Sequence, residues 1–270
     1  MPELPEVETR LLFFKRTALG QTIRRVRVYA PGNIKTPSAR EFARKLQGRR
    51  IVDGYRRGKY LIASLDDGRA LILHFGMGGD LCYYGIASER PGYTRIEFLF
   101  ESEWRLAFTC PRNICRVMLV DDPSLVRGIR EMGPEPLGRE FTVSRLRGIL
   151  TKSPSRRIKP LLLDQSSIAG IGNIYADEIL YAAGIRPDTR VSAIGARGIT
   201  GLHGAIRRVL KESLRTAHEE DFPDHFLIGR EGRGLGCPRC GHAIEKKRIG
   251  GRTSRFCPAC QSRVNINRPF

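Results

Sequence analysis

Two groups of residues in this 270-residue chain have types and spacings that can do chemistry. The first is the opening Met1-Pro2-Glu3-Leu4-Pro5-Glu6-Val7-Glu8. Removal of Met1 before a residue as compact as proline leaves Pro2 with a free secondary amine. An α-amino group titrates near 8, so a useful fraction of it is an unprotonated nucleophile at neutral pH, whereas a free lysine is mostly ammonium. Such an amine can attack a sugar C1′ and form an imine, and Glu3 beside it can move the protons that ring opening requires. The plainer alternative is that Pro2 only starts a helix, since proline fits the first turn. The second group is Cys237-x2-Cys240-x16-Cys257-x2-Cys260. Four thiolates at this spacing suit a closed tetrahedral zinc site with no position left for a substrate, so the metal is expected to be structural.

Other segments are suggestive in combination. In Gln165-Ser166-Ser167-Ile168-Ala169-Gly170-Ile171-Gly172-Asn173 a glycine pair precedes a helix start, where backbone N–H groups and the helix dipole favour an anion. Asn173 can cap that helix or donate to a phosphate. Met77, on the glycine-rich turn after His74-Phe75-Gly76, and Ile114, after Arg112-Asn113, would both be core residues by composition alone. If both turns face one groove, Met77 and Ile114 can wedge between bases while Arg112 fills a vacated space. The five histidines form no ligand pair. Lys59 and Lys159, taken alone, read as surface lysines.

The elements that must position these residues change character along the chain. Residues 3–19 read as a helix with Pro2 near its first turn. From 22 to about 120 short β-branched segments alternate with turns; Tyr60–Leu65, Asp66-Asp67-Gly68 and Ala70–Phe75 form a hairpin signal. Ser38 followed by Glu41 caps a helix to about Gln47. Strands are expected at 93–100, 104–109 and 114–120, and the whole suggests a β-sandwich or barrel. Gly133-Pro134-Glu135-Pro136-Leu137-Gly138 reads as a hinge. Helices follow at Thr142–Leu150, Asn173–Ala183 with Gly184 as the stop, and Gly198–Ala217. The division expected is a sandwich over 1–130, a hinge over 131–138, a helical domain over 139–228 and a finger with its tail over 229–270.

Net charge is +19 and the excess is uneven: residues 1–60 hold 15 Lys/Arg against 5 acids, and residues 230–270 hold 10 against 2. Such fields attract polyanions and release counterions from phosphates, which makes nucleic acid the leading partner and an anionic membrane surface the second. No apolar run reaches the length of a membrane span, and the acidic, turn-rich start is unlike a signal peptide. Cytoplasmic localisation is expected. Cys82, Cys110 and Cys115 are left over, an odd number that fits a reducing compartment, with buried hydrophobe as their role.

Together these blocks resemble the formamidopyrimidine-DNA glycosylase and endonuclease VIII family of base-excision repair enzymes. The resemblance rests on residues 2–9, Lys59-Tyr60-Leu61, His74–Met77, Gly133–Leu137, Ile158-Lys159-Pro160, Gly170–Tyr175 and the four cysteines, and the leucine before Pro5 is closer to the formamidopyrimidine branch. It implies an α+β multidomain fold: an N-terminal helix on a two-layer β-sandwich, a helix-two-turns-helix domain and a C-terminal zinc β-hairpin finger. It also implies a monomeric, bifunctional DNA glycosylase/AP lyase acting on oxidised or ring-opened bases in damaged double-stranded DNA (nucleoid-associated if bacterial), with one structural zinc ion. Pro2 is then the nucleophile, Glu3 the acid/base group, Glu6 a support in the pocket, and Lys59 a phosphate contact that assists elimination. Lys159, Asn173 and Arg252 grip phosphates beside the lesion, while Met77, Arg112 and Ile114 fill the gap left by the everted nucleotide.

Three departures stand out. The family usually has Arg-Arg-Phe at Arg112-Asn113-Ile114, and isoleucine wedges but cannot stack on the opposite base. The stretch before Cys237 is shorter than in the formamidopyrimidine branch, which predicts weak recognition of 8-oxoguanine. Residues 261–270 continue past the last cysteine without a role in this reading. Two other readings exist: a non-catalytic damage-binding protein on the same scaffold, and a zinc-dependent transcription factor. The second leaves the amino-terminal block unexplained.

Overall fold

The computed structural model describes residues 1–217, 222–231 and 234–261. The chain divides into two compact units, Met1–Glu131 and Met132–Phe270. The first unit contains helix α1 (Leu4–Ala18), β1 (Ile23–Val28), β2 (Ile34–Thr36), α2 (Ala39–Leu46), β3 (Ile51–Arg57) and β4 (Tyr60–Leu65). It continues through β5 (Ala70–His74), β6 (Asp80–Gly85), β7 (Thr94–Phe100), β8 (Trp104–Thr109), β9 (Arg116–Val120) and the single turn α3 (Arg127–Arg130). Its strands form two sheets, ordered β1-β7-β8-β6 and β2-β9-β5-β4-β3. Among these pairs only β2–β9 is parallel.

Alternation along the strands builds the sandwich. Ile96, Phe98 and Phe100 of β7 and Leu106 and Phe108 of β8 share one buried cluster with Leu71 and Leu73 of β5 and Val117 and Leu119 of β9. Period-two side chains of both sheets thus point into a common core. The five-stranded sheet is apolar on its other face too, where Ile62 and Ile72 meet Ile129 of α3. Cys110 and Cys115, just outside β8 and β9, are buried in the sandwich core as expected, whereas Cys82 is only half-buried.

α1 begins at Leu4, with Glu3 as its N-cap and Pro5 in the first turn. Pro2 therefore lies outside the helix and does not start it. The helix lies against β3 at Gly54, where an added Cβ would sit 3.3 Å from Leu11 Cδ1 and 3.5 Å from Phe14 Cδ1.

The second unit contains α4 (Val143–Thr151), α5 (Ile158–Leu163), α6 (Asn173–Ala182), α7 (Ala196–Thr216), α8 (Leu227–Glu231), β10 (Glu245–Ile249) and β11 (Arg252–Phe256). Thr142 caps α4 by accepting the Arg145 N–H, and the stripe Leu202, Ile206, Val209 and Leu210 buries one face of α7. The 131–138 segment, read from sequence as a hinge, is largely built into this unit. Gly133 N–H donates to Gln165 O, Ala169 N–H to Pro134 O, and Arg207 to the carbonyls of Pro136 and Gly138. The tail at 262–270 lies outside the described residues.

Gly54→Val is expected to lower the unfolding free energy by about 1–3 kcal/mol, the usual cost of overfilling a packed contact. Urea denaturation of the two proteins checks this, and equal midpoints would show that α1 can retreat freely.

Candidate active site and nucleic-acid interface

A reciprocal capping box sets the amino end: the Glu3 side chain accepts from the backbone of Glu6, while Glu6 Oε2 accepts the Glu3 N–H at 2.7 Å. Glu3 is buried and Pro2 half-buried. Farther along α1, two arginines tie the helix to the turns around it. Arg10 donates from Nε to Gly79 O at 3.1 Å, pairs with Asp80 at 3.0 Å and lies over the Phe75 ring, so the helix is joined to the turn carrying Met77. Glu8 accepts from Arg56 Nε at 2.6 Å, and Arg56 also donates to Gly58 O at 3.1 Å, so the helix is joined to the β3–β4 turn carrying Lys59. Lys59 is 7% exposed, buried rather than a surface lysine.

The Met77 turn touches the 110–115 loop. At Gly76 (φ +55) an added Cβ would lie 2.5 Å from Ile114 O, so only glycine admits this approach. Arg112 reaches Met77 Sδ at 3.7 Å. The loop itself is held from below: Asn33 donates to Asn113 O at 3.4 Å and to Cys115 O at 3.0 Å, and Arg95 donates to Cys110 O at 2.8 Å. Asn113 takes φ +54, a conformation asparagine tolerates better than most side chains. Met77 (38% exposed) and Ile114 (48%) are therefore not core residues. The structure places two large apolar side chains and an arginine together on a rigidly supported surface.

His74, to which sequence reasoning gave no role, stacks obliquely on its cross-strand partner Tyr60 at 4.9 Å. Burial, together with the nearby cations Arg116 and Lys59, lowers its pKa to about 4. The ring is thus neutral at physiological pH, and its Nδ1 accepts the Gly76 N–H at 3.4 Å. Its position at the end of β5, directly across from the residue after Lys59, was the available signal.

In the second unit the glycine turn is organised by Gln165, which accepts the Gly170 N–H and donates to Leu163 O and Ile171 O. Gly172, not Asn173, occupies the N-cap of α6. Asn173 Oδ1 is buried and accepts no hydrogen bond, so its side chain does not cap the helix. Lys159 departs further from expectation. It is fully buried, with Nζ 2.7 Å from Asp177 Oδ1 and donating to Thr253 O at 3.0 Å. A lysine so enclosed is not a direct phosphate grip. Asp177 and Glu178 were missed, although two adjacent acids inside an otherwise apolar helix signal a buried polar role. Glu178 accepts the N–H groups of Leu227 and Ile228 at the start of α8, and burial pushes it up to about 8 against those two bonds.

The four cysteine Sγ atoms lie within 4.8 Å of one another. Tetrahedral zinc with Zn–S near 2.3 Å needs sulfurs about 3.8 Å apart, and closest approaches of 3.4 Å (Cys240–Cys257) and 3.7 Å (Cys237–Cys260) fit that cage. The Tyr181 hydroxyl lies 3.2 Å from Cys237 Sγ, and Gln261 accepts the Cys257 N–H while donating to Ile185 O. Between the cysteine pairs, β10 and β11 are joined by Gly250 (φ +56) and Gly251 (φ +77), a two-residue loop that needs positive φ at both positions. Arg252 is the first residue after it and is exposed.

Residues 1–117 match the formamidopyrimidine-DNA glycosylase N-terminal domain, residues 132–221 the H2TH domain of the same enzymes, and residues 234–263 a zinc finger found in FPG and IleRS. The chain belongs to the formamidopyrimidine-DNA glycosylase family. A relative of that name from Pelotomaculum thermopropionicum is 39% identical over 97% of this chain and 99% of its own, and one from Moorella thermoacetica is 39% identical over 92% and 95%. Among solved structures, Lactococcus lactis Fpg in complex with N7-benzyl-Fapy-dG-containing DNA superposes with a TM-score of 0.87 at 31% identity, covering 96% of this chain and 99% of that one. The same bacterial protein bound to abasic-site DNA gives 0.86 at 30% identity. Family membership accords with the leucine before Pro5 and with one structural zinc in the finger.

Two outcomes are expected. His74 takes up its proton near pH 4 when folded and near 6.5 when unfolded, so between these values the unfolded chain binds more protons and stability rises with pH. His74→Gln should flatten that rise in urea melts between pH 4 and 6.5; an unchanged difference across the range would mean the ring is not held neutral. Cys257→Ser should lose zinc by metal analysis, and full stoichiometry would mean the cage closes without this thiolate.

Proposed function

We propose that the amine of Pro2, freed by removal of Met1, is the nucleophile of a bifunctional DNA glycosylase/AP lyase. The observation that carries this is the placement of Pro2 just outside a capped helix, beside the buried carboxyl of Glu3. The positive end of α1 disfavours an ammonium group there and so favours the neutral, nucleophilic amine. Pro2 nitrogen attacks C1′, the damaged base leaves with its electron pair, and a proton carried by Glu3 assists opening of the sugar ring. An imine on a secondary amine necessarily bears positive charge. It acidifies the adjacent sugar C–H, so β-elimination expels the 3′ phosphate and δ-elimination the 5′ phosphate. One amine thus serves both base removal and strand cleavage.

Glu6 fixes the backbone of Glu3 and supports the pocket. Lys59, on a turn tethered to the same helix through Arg56 and Glu8, is assigned to phosphate contact and elimination. Reaching C1′ requires the nucleotide to leave the stack, which costs a few kcal/mol and least at damaged pairs. Met77, Arg112 and Ile114 supply side chains for the gap; without an aromatic wedge the opposite base is held by contact rather than stacking. Asn173 and Arg252 are assigned to phosphates flanking the lesion, and Lys159 supports Arg252 from within. The zinc ion fixes the hairpin and takes no part in the reaction.

The partner is damaged double-stranded DNA, in keeping with the abasic-site and N7-benzyl-Fapy-dG-containing DNA to which the Lactococcus lactis relative is bound, and the protein acts as a monomer at the chromosome in the cytoplasm. Among the described residues no helix is long and apolar enough to cross a membrane. Retention of Pro2, Glu3 and Lys59 favours turnover over a role limited to damage binding.

Pro2→Gly, its processed terminus verified by mass spectrometry, keeps an amine but loses its fixed direction. Borohydride trapping on abasic-site DNA should fall about 10- to 100-fold, in line with a misplaced reacting group, with duplex affinity nearly unchanged. Trapping at the wild-type rate would remove proline's special role while leaving terminal-amine catalysis in place.

A further inference from the structure

Asp177 lies within the second unit, about one turn into α6, and touches the finger rather than solvent. Its two carboxylate oxygens are both engaged. Oδ1 receives the Lys159 ammonium at 2.7 Å and Oδ2 the backbone N–H of Arg255 at 3.0 Å. Lys159 in turn donates to Thr253 O at 3.0 Å. Thr253 directly follows Arg252 in β11, and Arg255 lies two residues farther on. A third tether lies at the hairpin tip, where an added Cβ on Gly250 would stand 2.8 Å from Pro160 Cγ of α5. The strand carrying Arg252 is therefore clamped at one end by α5 and along its length by a buried ion pair reaching from α5 to α6.

We propose that Asp177, acting with Lys159, is a positioning residue that holds the exposed Arg252 guanidinium where it can meet a DNA phosphate. The inference rests on the reading of Arg252 as a phosphate contact. Its physical basis is an asymmetry. A buried ion pair adds little net stability over apolar side chains of similar size, because desolvating two charges offsets their attraction. Two bonds to backbone groups of one strand, at Thr253 O and Arg255 N–H, held by one ion pair, however, restrict the freedom of that strand to twist or slide. Arginine on an unanchored hairpin would have to be ordered each time it bound a phosphate, at a cost that a fixed strand avoids. Burial raises Asp177 to about 6, with Lys159 and the Arg255 N–H opposing the rise, so the carboxylate is ionised at the pH 8 of the test below.

The zinc-loaded full chain is titrated at pH 8 onto a duplex carrying a tetrahydrofuran abasic-site analogue, and the logarithm of affinity is followed against the logarithm of salt concentration from about 50 to 200 mM. Arg252→Ala should reduce the slope by about 0.9, the value of one phosphate contact. Asp177→Asn should reduce it by a similar amount with zinc content unchanged, and Asp177→Asn combined with Arg252→Ala should match Arg252→Ala alone. The apolar pair Lys159→Met with Asp177→Leu provides a variant in which stability is retained while the tethers are removed, and the same loss of slope is expected. A folded Asp177→Asn or apolar-pair protein with the wild-type slope, against a reduced slope in Arg252→Ala, overturns the positioning role. A wild-type slope in Arg252→Ala overturns the phosphate reading of Arg252 and the inference with it.

Discussion

The exchange of bonds between Glu3 and Glu6 governs the amino end of the molecule. The first turn of any helix has N–H groups with no partner inside the helix, and here the two acids satisfy them reciprocally. Because Glu3 is committed as the cap, the helix cannot extend backward over Pro2, and the residue that carries the amine must stand beyond the helix end. The same bonds tie Glu6 to the backbone of Glu3, whose side chain is buried. Arg10 and Glu8 then fix the helix against the turns bearing Met77 and Lys59. A change in the cap would shift Pro2, Glu3 and the neighbouring turns together.

The second unit applies a similar principle with different means. A hairpin of two five-residue strands is too small to hold its shape in water by itself, and this one is fixed by a sulfur cage at its base and by side chains from the helices along its length. Tyr181, Gln261 and Asp177 each bridge helix and finger through polar atoms. Such groups would be costly to bury alone and are tolerated because each finds a partner. Glu178 does the same for α8, whose first amides it accepts. These polar bridges act beside a small apolar cluster of Tyr181, Leu227, Cys237 and Cys257 in the same region.

Much of this was legible in the residues. Apolar segments separated by turn residues gave β4, β5, β7 and β8 nearly to the residue, β4 and β5 through the Asp66-Asp67-Gly68 turn between them, and cysteine spacing alone specified the cage. What could not be read were features created by tertiary approach. Met77 and Ile114 look like core residues in any window of sequence, yet both are exposed: Asn33 and Arg95, distant in the chain, hold the loop of Ile114, and Arg10 of α1 holds the turn of Met77. Lys159 looks like a surface lysine, and its enclosure depends on Asp177 eighteen positions later and on the finger beyond that. Gly133-Pro134 has the composition of a hinge, yet its backbone groups are taken up by the 165–169 turn. Composition sets what a segment can do alone; partners far away in sequence decided these cases.

The chemistry assigned to the amino terminus is tested most directly by locating the covalent bond. The wild-type protein is reduced with borohydride on abasic-site duplex DNA, digested, and the peptide carrying the sugar remnant is sequenced by mass spectrometry. The account requires the remnant on the nitrogen of a terminal Pro2. Attachment to a lysine side chain such as Lys59, or to a chain still beginning with Met1, would contradict it.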